Sequence, residues 1–193
     1  MNQVKHGLTN LHVAFAKESG PNGEPLWEQP ISIPGAVQFT AAPAGSASNF
    51  YGDNGIWYSS NPGGNASGNL QLWDIPPDIK ARMLGDYIDE DGRYIEVNGQ
   101  GAIFALLGQQ DGTVSNTRFV YYKCTAAKAE KAYDTNTDTI QAKQDNCTIT
   151  ATRQYFPSLD VSAMAAHANA VEAAEAYGTF FQVVQAPSAA ATT

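Results

Sequence analysis

The stretch that decides the fold is GNLQLWDIPPDIKARMLG, residues 68–85. Leu70 and Leu72 alternate with polar neighbours, and this period of two is typical of a half-buried β-strand. Two prolines follow the strand. Pro77 suits the first position of a helix, because its φ is fixed and it has no N–H group to leave unpaired. The stretch therefore predicts a strand that passes directly into a helix.

The predicted helix is short and spans residues 76–85. Isoleucine and methionine recur every four residues on one face, an aspartate lies near the positive end of the helix dipole, and a glycine offers the left-handed stop. A helix of about eight residues is marginal alone, so its apolar face is expected to pack on a sheet. The residues assigned to this structural helix are Ile75, Pro76, Asp78, Ile79, Met83, Leu84 and Gly85.

Composition narrows the class of protein. The chain has 193 residues, enough for one domain with its own core, and residues 1–186 are expected to form it. Its net charge of −8 argues against binding nucleic acid through phosphate contacts. No stretch approaches the roughly 18 apolar residues that a membrane span needs, and no secretion signal is recognisable, so a soluble chain made in the cytoplasm without a membrane partner is expected.

Most of the remaining chain reads as β. Residues 109–112 predict a hairpin turn between two strands. In the second of these strands, the odd positions from 119 to 123 are expected to share one face and the even positions from 120 to 124 the other. The predicted strands are residues 8–16, two short strands within 31–39 that are separated at Pro34 and Gly35, and residues 101–107, 117–125, 145–153 and 179–184.

The C-terminal part of the chain is rich in alanine. Residues 160–176 are predicted to form a second helix that ends near Gly178, because alanine has the highest helix propensity and apolar positions roughly trace one face. Residues 187–193 are predicted to be a flexible tail.

The segment from residue 40 to residue 68 combines long loops of small residues with aromatic side chains. Residues 49–58 read as a strand between two loops, with a hairpin that has irregular ends as the alternative. A purely solvated linker does not need aromatic residues, so the functional interpretation is a segment that becomes ordered against a partner. The candidate inter-subunit residues are Phe50, Tyr51, Asp53, Asn54, Trp57 and Tyr58.

Calcium binding is the metal chemistry that the sequence raises. Asp89 and Asp91 fall at two ligand positions of an EF-hand loop, but Tyr87 and Asn98 occupy the first and last ligand positions. Residues 134–138 are a second near match that lacks the glycine. Both segments are interpreted as polar turns, and no metal and no cofactor are expected.

Catalytic chemistry is not indicated either. His6, His12 and His167 have no catalytic spacing, and no nucleophile, phosphate-binding or dinucleotide motif occurs. Cys124 and Cys147 lie in β-like segments and favour buried thiols over a disulfide. The residues alone thus predict a mainly β (α+β) domain without enzyme activity.

The order of motifs resembles the major tail tube proteins of long-tailed, non-contractile bacteriophages (siphophages). The resemblance covers roughly residues 7–156 and rests on the joint order and spacing of several short motifs. These motifs are Gly7–His12, Ile33–Val37, Phe50–Asn54, Gly68–Gly85, Asp89 with Gly92, Arg118–Cys124 and Thr148–Thr152.

This resemblance implies two packed antiparallel β-sheets forming a sandwich or barrel with a flanking short helix, similar to the inner tube protein of type VI secretion systems. It also implies hexameric rings that stack into a tube in the virion tail, assembled in the host cytoplasm. DNA then passes through the lumen without specific binding, and residues 40–68 contact a neighbouring ring. The implied partners are further copies of the chain, the tape measure protein and the tail tip and terminator proteins.

Two other classes of protein fit the same pattern. A monomeric β-sandwich could bind carbohydrate through Trp27, Trp57 or Trp73. Another virion protein of similar fold, such as a tail terminator or a capsid decoration protein, would differ in copy number per particle. Oligomerisation separates the first alternative from a tube protein, because a sugar-binding module is expected to stay monomeric.

Overall fold

The structure is a computed structural model that describes residues 4–44, 48–60, 64–97, 99–131, 133, 135 and 142–189. The strands are β1 (Lys5–Phe15), β2 (Ile31–Ser32), β3 (Ala36–Phe39), β4 (Ala42–Ala44), β5 (Ser48–Gly52), β6 (Gly55–Ser60), β7 (Asn65–Leu72), β8 (Tyr87–Ile88), β9 (Tyr94–Ile95), β10 (Phe104–Gly112), β11 (Thr117–Lys128), β12 (Asp145–Thr152), β13 (Gln154–Phe156), β14 (Val161–Ala163) and β15 (Ala165–Asn169). The α-helices are α1 (Pro77–Leu84) and α2 (Ala174–Thr179).

One large antiparallel sheet dominates the fold, which confirms the mainly β prediction. Seven of its nine strands follow the order β2-β1-β10-β11-β12-β7-β3, while β4 pairs with β7 and β15 pairs with β11. Three two-stranded sheets complete the described strands: β5 with β6, β8 with β9, and β13 with β14. Among the strands that the structure describes, the large sheet stays open and does not close into a barrel.

Strand β11 joins the two halves of the large sheet. Its first half, up to Tyr121, pairs with β15, and its second half, from Lys123, pairs with β12 on the same edge. On this edge, the two halves of β11 therefore pair with different strands. The buried side chains of β12 lie in one apolar core and Ala168 of β15 lies in another, so the two neighbouring strands pack separately.

The protein has two apolar cores on opposite faces of β1 and β10. The first core includes Val13 and Phe104 and packs them against β7, β12 and α1. The second core includes Ala14 and Ala105 and is covered by β13, β15 and the C-terminal segment. These two strands are consequently buried on both faces, which explains why residues 104–107 read as a continuous apolar run.

A β-bulge in β11 overturns the predicted division of its faces. Leu106 pairs with Tyr121 whereas Phe104 pairs with Cys124, so β11 carries one extra residue between the two pairs. The bulge reverses the alternation of the strand. Tyr122 lies in the second core and Cys124 in the first, although both were predicted on one face.

Helix α1 confirms the predicted short helix. It starts at Pro77, its buried residues Ile79 and Met83 lie in the first core, and Gly85 follows with the left-handed φ of 75°. The backbone N–H of Gly85 donates to the carbonyl of Ala81 and so satisfies one of the last carbonyl groups of the helix.

The Ala-rich helix predicted for residues 160–176 is wrong. This segment forms β14 and β15, and only from Ala174 does it turn into the short α2. Strand β15 pairs with β11 from Thr117 to Tyr121, and the Tyr122 N–H donates to the carbonyl of Met164 at 3.0 Å. The inter-strand hydrogen bonds and the burial of Ala168 override the intrinsic helix propensity of alanine.

Two neighbouring predictions also need correction. The strand predicted for residues 179–184 is a series of turns after α2, which buries Phe180 and Val184 in the second core. The β10–β11 turn lies at residues 113–116, not at 109–112, because β10 continues to Gly112 instead of ending at residue 107. The hairpin itself is confirmed, and the side chain of Asn116 caps it by accepting a hydrogen bond from the Gly112 N–H at 3.2 Å.

Candidate functional site

Strands β5 and β6 form a separate hairpin, which we call the aromatic hairpin (residues 48–60). Its two-residue turn consists of Asp53 and Asn54, with positive φ angles of 48° and 60°. Asp and Asn tolerate this conformation better than most residues, and positive φ at both turn positions matches the twist of paired strands. The segment is therefore the hairpin that the sequence offered as the alternative to a single strand.

The aromatic hairpin exposes apolar side chains. Phe50, Tyr51, Trp57 and Tyr58 are 57%, 72%, 79% and 60% exposed, and Ile56 is 57% exposed. Phe50 pairs with Tyr58 and Tyr51 pairs with Ile56, so Trp57 is an extra residue in β6. Because Phe50 and Tyr51 are adjacent in a strand, the two faces of the hairpin each carry aromatic rings.

A two-stranded hairpin that buries neither face gains little stability from its own chain. Aromatic residues are also enriched in the buried centres of protein interfaces, where they contribute much of the binding free energy. Among the described side chains of the aromatic hairpin, the rings of Phe50 and Tyr58 contact each other, with centroids 6.0 Å apart. This element is thus suited to bind another protein surface.

The predicted helix residues lie at a different place and have a structural role. Ile75, Ile79 and Met83 are buried in the first core, whereas Asp78 is exposed. An ion pair links the helix to the large sheet: Lys80 Nζ lies 2.6 Å from Oδ1 of Asp145, a residue of β12. None of these residues belongs to the aromatic hairpin, so the two predicted sets form separate regions.

A second ion pair ties α1 to the loop that follows β1. Arg82 donates two hydrogen bonds to Glu28, at 2.7 and 2.6 Å, and its guanidinium lies 4.0 Å from the centroid of the Phe15 ring. The hydrogen bonds and charge of Arg82 hold the pKa of Glu28 below its usual value. This bidentate pair fixes the orientation of the helix relative to the loop that follows β1.

Asp86, just after α1, is the most enclosed carboxylate of this region. Its side chain is 1% exposed and accepts hydrogen bonds from Lys128 Nζ, the Tyr94 hydroxyl and the Val97 N–H, at 2.7, 2.8 and 2.8 Å. Burial disfavours the charged form, but these donors outweigh burial and lower the pKa of Asp86. Asp86 thereby holds the β8–β9 hairpin against β11.

Sequence reasoning missed Asp86 and also missed the contacts of Arg118. The Arg118 guanidinium lies 3.7 Å from the Tyr177 ring centroid and 4.6 Å from that of Phe181, and it donates to the Tyr177 carbonyl and to Gln109. These contacts hold the C-terminal segment on the second core. No local motif reveals them, because their partners lie far apart in the sequence.

The two aspartates of the segment that resembles a calcium-binding loop form ion pairs with an arginine of the same segment. Arg93 forms ion pairs with Asp89 and Asp91, each at 2.8 Å. Within the described part of the chain, no group of three or more His, Cys, Asp or Glu residues could hold a metal ion. The second near match, residues 134–138, falls largely outside the described residues.

The other chemical candidates lie in separate places. Cys124 and Cys147 are free, buried thiols, as expected, and burial raises their pKa values to about 12 and about 11. Trp27 packs on Tyr122 and Phe156 and donates its indole N–H to the Tyr122 carbonyl, so it serves the second core. None of the helices in the described ranges is long and apolar enough to cross a membrane.

Comparison with known protein families identifies a match. A family model described as phage tail tube protein matches residues 40–183, about three quarters of the chain. The matched range contains the aromatic hairpin, α1 and strands β10 to β12. No curated protein matches the chain.

Proposed function

The chain belongs to the phage tail tube protein family, and on this premise we propose that it forms hexameric rings that stack into the tail tube. It is a structural protein of the virion tail, and its family is not an enzyme family. The proposed tube is the conduit through which DNA is ejected into the host. Residues 1–186 act in it as a single tail-tube unit.

The observation that carries this proposal is the aromatic hairpin. Its aromatic rings are more than half exposed, and its two strands pair only with each other among the sheets described. A subunit of a stacked tube needs an apolar element that is uncovered in the monomer and covered in the assembly. Phe50, Tyr51, Trp57 and Tyr58 supply the apolar contacts, and Asp53 and Asn54 form the tip that reaches the neighbouring ring.

The open edges of the large sheet suit assembly in the plane of a ring. Strand β2 lies at one end of the sheet order and β3 at the other, and each is short. Contacts between unlike surfaces close into a ring when the rotation between copies closes, and they form a fibre when it does not. We assign the unpaired backbone groups of the sheet edges to the closed contact within a ring and the aromatic hairpin to the open contact between rings.

The net charge of −8 fits a passage for DNA. A predominantly acidic surface repels phosphate groups, so double-stranded DNA slides through the lumen without specific binding. The further partners of the proposed tube are the tape measure protein and the tail tip and terminator proteins, and assembly takes place in the host cytoplasm.

Electron microscopy of the purified protein tests the proposal. Negative-stain images across a concentration series, with mass by light scattering, are expected to show rings or hollow tubes with six subunits per ring. A protein that stays monomeric at every concentration, and also when it is added to purified tail tips, would contradict the proposal and favour the monomeric binding module.

A further inference from the structure

A groove with a mixed apolar and polar lining lies beside the large sheet. It has a volume of about 470 Å³ and is lined by residues of β1, β3, β11 and β15, chiefly Leu8, Val37, Phe39, Phe119, Tyr121 and His167. We call it the β3 groove. Its volume lies in the range in which protein pockets hold ligands or large side chains.

The floor of the β3 groove is a preformed aromatic cluster. The Phe39 ring lies nearly parallel to Phe119, with centroids 6.0 Å apart, and it meets Tyr121 edge-on at 5.3 Å. Gly108 makes room for this floor, since a Cβ there would lie 2.5 Å from Phe119 Cζ. An ordered aromatic floor lowers the entropic cost of binding a further apolar group.

The rim of the groove is accessible. Val37 is 38% exposed, and His167 and Gln38 are exposed as well. Among the described side chains, none from the aromatic hairpin lines the groove in its own chain. The described residues thus include an exposed aromatic hairpin and, apart from it, an open groove whose lining contains apolar side chains.

The strand that lines the groove and the aromatic hairpin are near each other in the chain. Strands β3 and β4 pair with β7 in a continuous register from Gln38 to Ala44, and the aromatic hairpin follows β4. The six residues from Phe39 to Ala44 span five residue steps, about 17 Å in extended conformation.

We propose that the β3 groove receives the aromatic hairpin of a second copy of this chain. The proposal rests on the proposed function, because it names the surface that the stacking hairpin contacts. The exposed aromatic rings of one copy cover the apolar wall formed by Leu8, Val37 and Phe39 of the next. Burial of both apolar surfaces in one contact supplies the driving force for stacking.

A charge in the groove tests the proposal. Val37→Glu places a carboxylate on the groove wall, and Val171→Glu is the matched control at a site that is 77% exposed and does not line the groove. Val37→Glu is expected to reduce the yield of stacked tubes by at least about tenfold, because a buried unpaired charge costs more than 1.4 kcal/mol. Val171→Glu is expected to assemble like the parent protein.

Cross-linking keeps the test decisive if Val37→Glu does not fold. Ile56→Cys in the aromatic hairpin is mixed with Val37→Cys in the groove, and a short bismaleimide is added; both native thiols are buried. A covalent dimer is expected only in this mixture, and not with Ile56→Cys plus Val171→Cys. If the parent protein forms tubes, while Val37→Glu also forms them or no mixed dimer appears, the groove assignment is overturned and the tube function stands. A parent protein that never oligomerises counts against the proposed function itself.

Discussion

Helix α1 and the aromatic hairpin are both too short to be stable alone, but they are stabilised in different ways. The helix has eight residues, and its apolar side chains Ile79 and Met83 are buried in the first core at 4% and 1% exposure. The hairpin also carries large apolar side chains, but they stay exposed, and Trp57 is 79% exposed. An element that finds no apolar partner in its own chain is expected to find one in another chain.

Replacing the aromatic hairpin is expected to have the largest effect. Exchange of residues 48–60 for a short Gly-Ser linker removes the exposed aromatic surface but leaves β4 and β7 paired, because their register ends at Ala44 and Asn65. Tube stacking should be lost, while the thermal midpoint of the monomer stays nearly unchanged. Tubes of normal length in electron micrographs would show that the hairpin is not required for stacking.

Substitution of Met83 is expected to have the largest effect on the monomer. Met83→Ala leaves a cavity in the first core and should lower the free energy of unfolding by about 2–5 kcal/mol. Trp57→Ala is the matched variant in the aromatic hairpin and should change it by less than about 0.5 kcal/mol, since the side chain is exposed. Urea denaturation of the two variants measures both values, and equal losses would remove the distinction between the two regions.

Acid is expected to weaken the contacts around α1 more than the aromatic hairpin. Asp86 and Glu28 have lowered pKa values in the folded state, so the unfolded chain binds more protons in acid. Their stabilising contribution is full above the ordinary pKa values of 3.8 and 4.5 and is lost as pH falls through the lowered values. The midpoint of denaturation is therefore expected to decrease when the pH is lowered below about 4.

Asp86→Asn sharpens this test because it keeps the shape of the side chain. The variant should lose about 1–3 kcal/mol at pH 7, since Lys128 loses its buried charge partner. Between about pH 5 and pH 3, where carboxyl groups titrate, the stability of the variant should also decrease less steeply than that of the parent protein. An unchanged pH profile would mean that Asp86 does not titrate as its contacts indicate.

The smallest effect is expected at the C-terminus. Removal of residues 187–193 should change neither stability nor assembly, because the last buried apolar side chain described is Val184 and the Tyr122 hydroxyl donates to the carbonyl of Gln185, before the cut. Residues 190–193 of this predicted tail lie outside the described residues. Sedimentation of the truncated protein checks the result, and loss of assembly would show that the tail contacts a neighbouring copy.

The sequence predicted the elements whose signals are local. Pro77 and Gly85 mark the ends of α1 by their own backbone preferences, whereas the turn at Asp53 and Asn54 was not predicted and interrupts the strand expected over residues 49–58. The order of short motifs was also sufficient to indicate the family. These features depend on residues that are close in the chain, so their physical chemistry is readable without the fold.

Residues distant in sequence decided the rest. Residues 165–169 form a strand because β11 offers unpaired backbone groups there, and the bulge before Cys124 exists because β10 and β11 must match different neighbours. The β3 groove likewise combines β1, β3, β11 and β15. The sequence alone thus determined the local elements and the exposed aromatic character of the hairpin. Tertiary structure decided which backbone and side-chain groups were left to pair, because that depends on packing between segments up to about 160 residues apart.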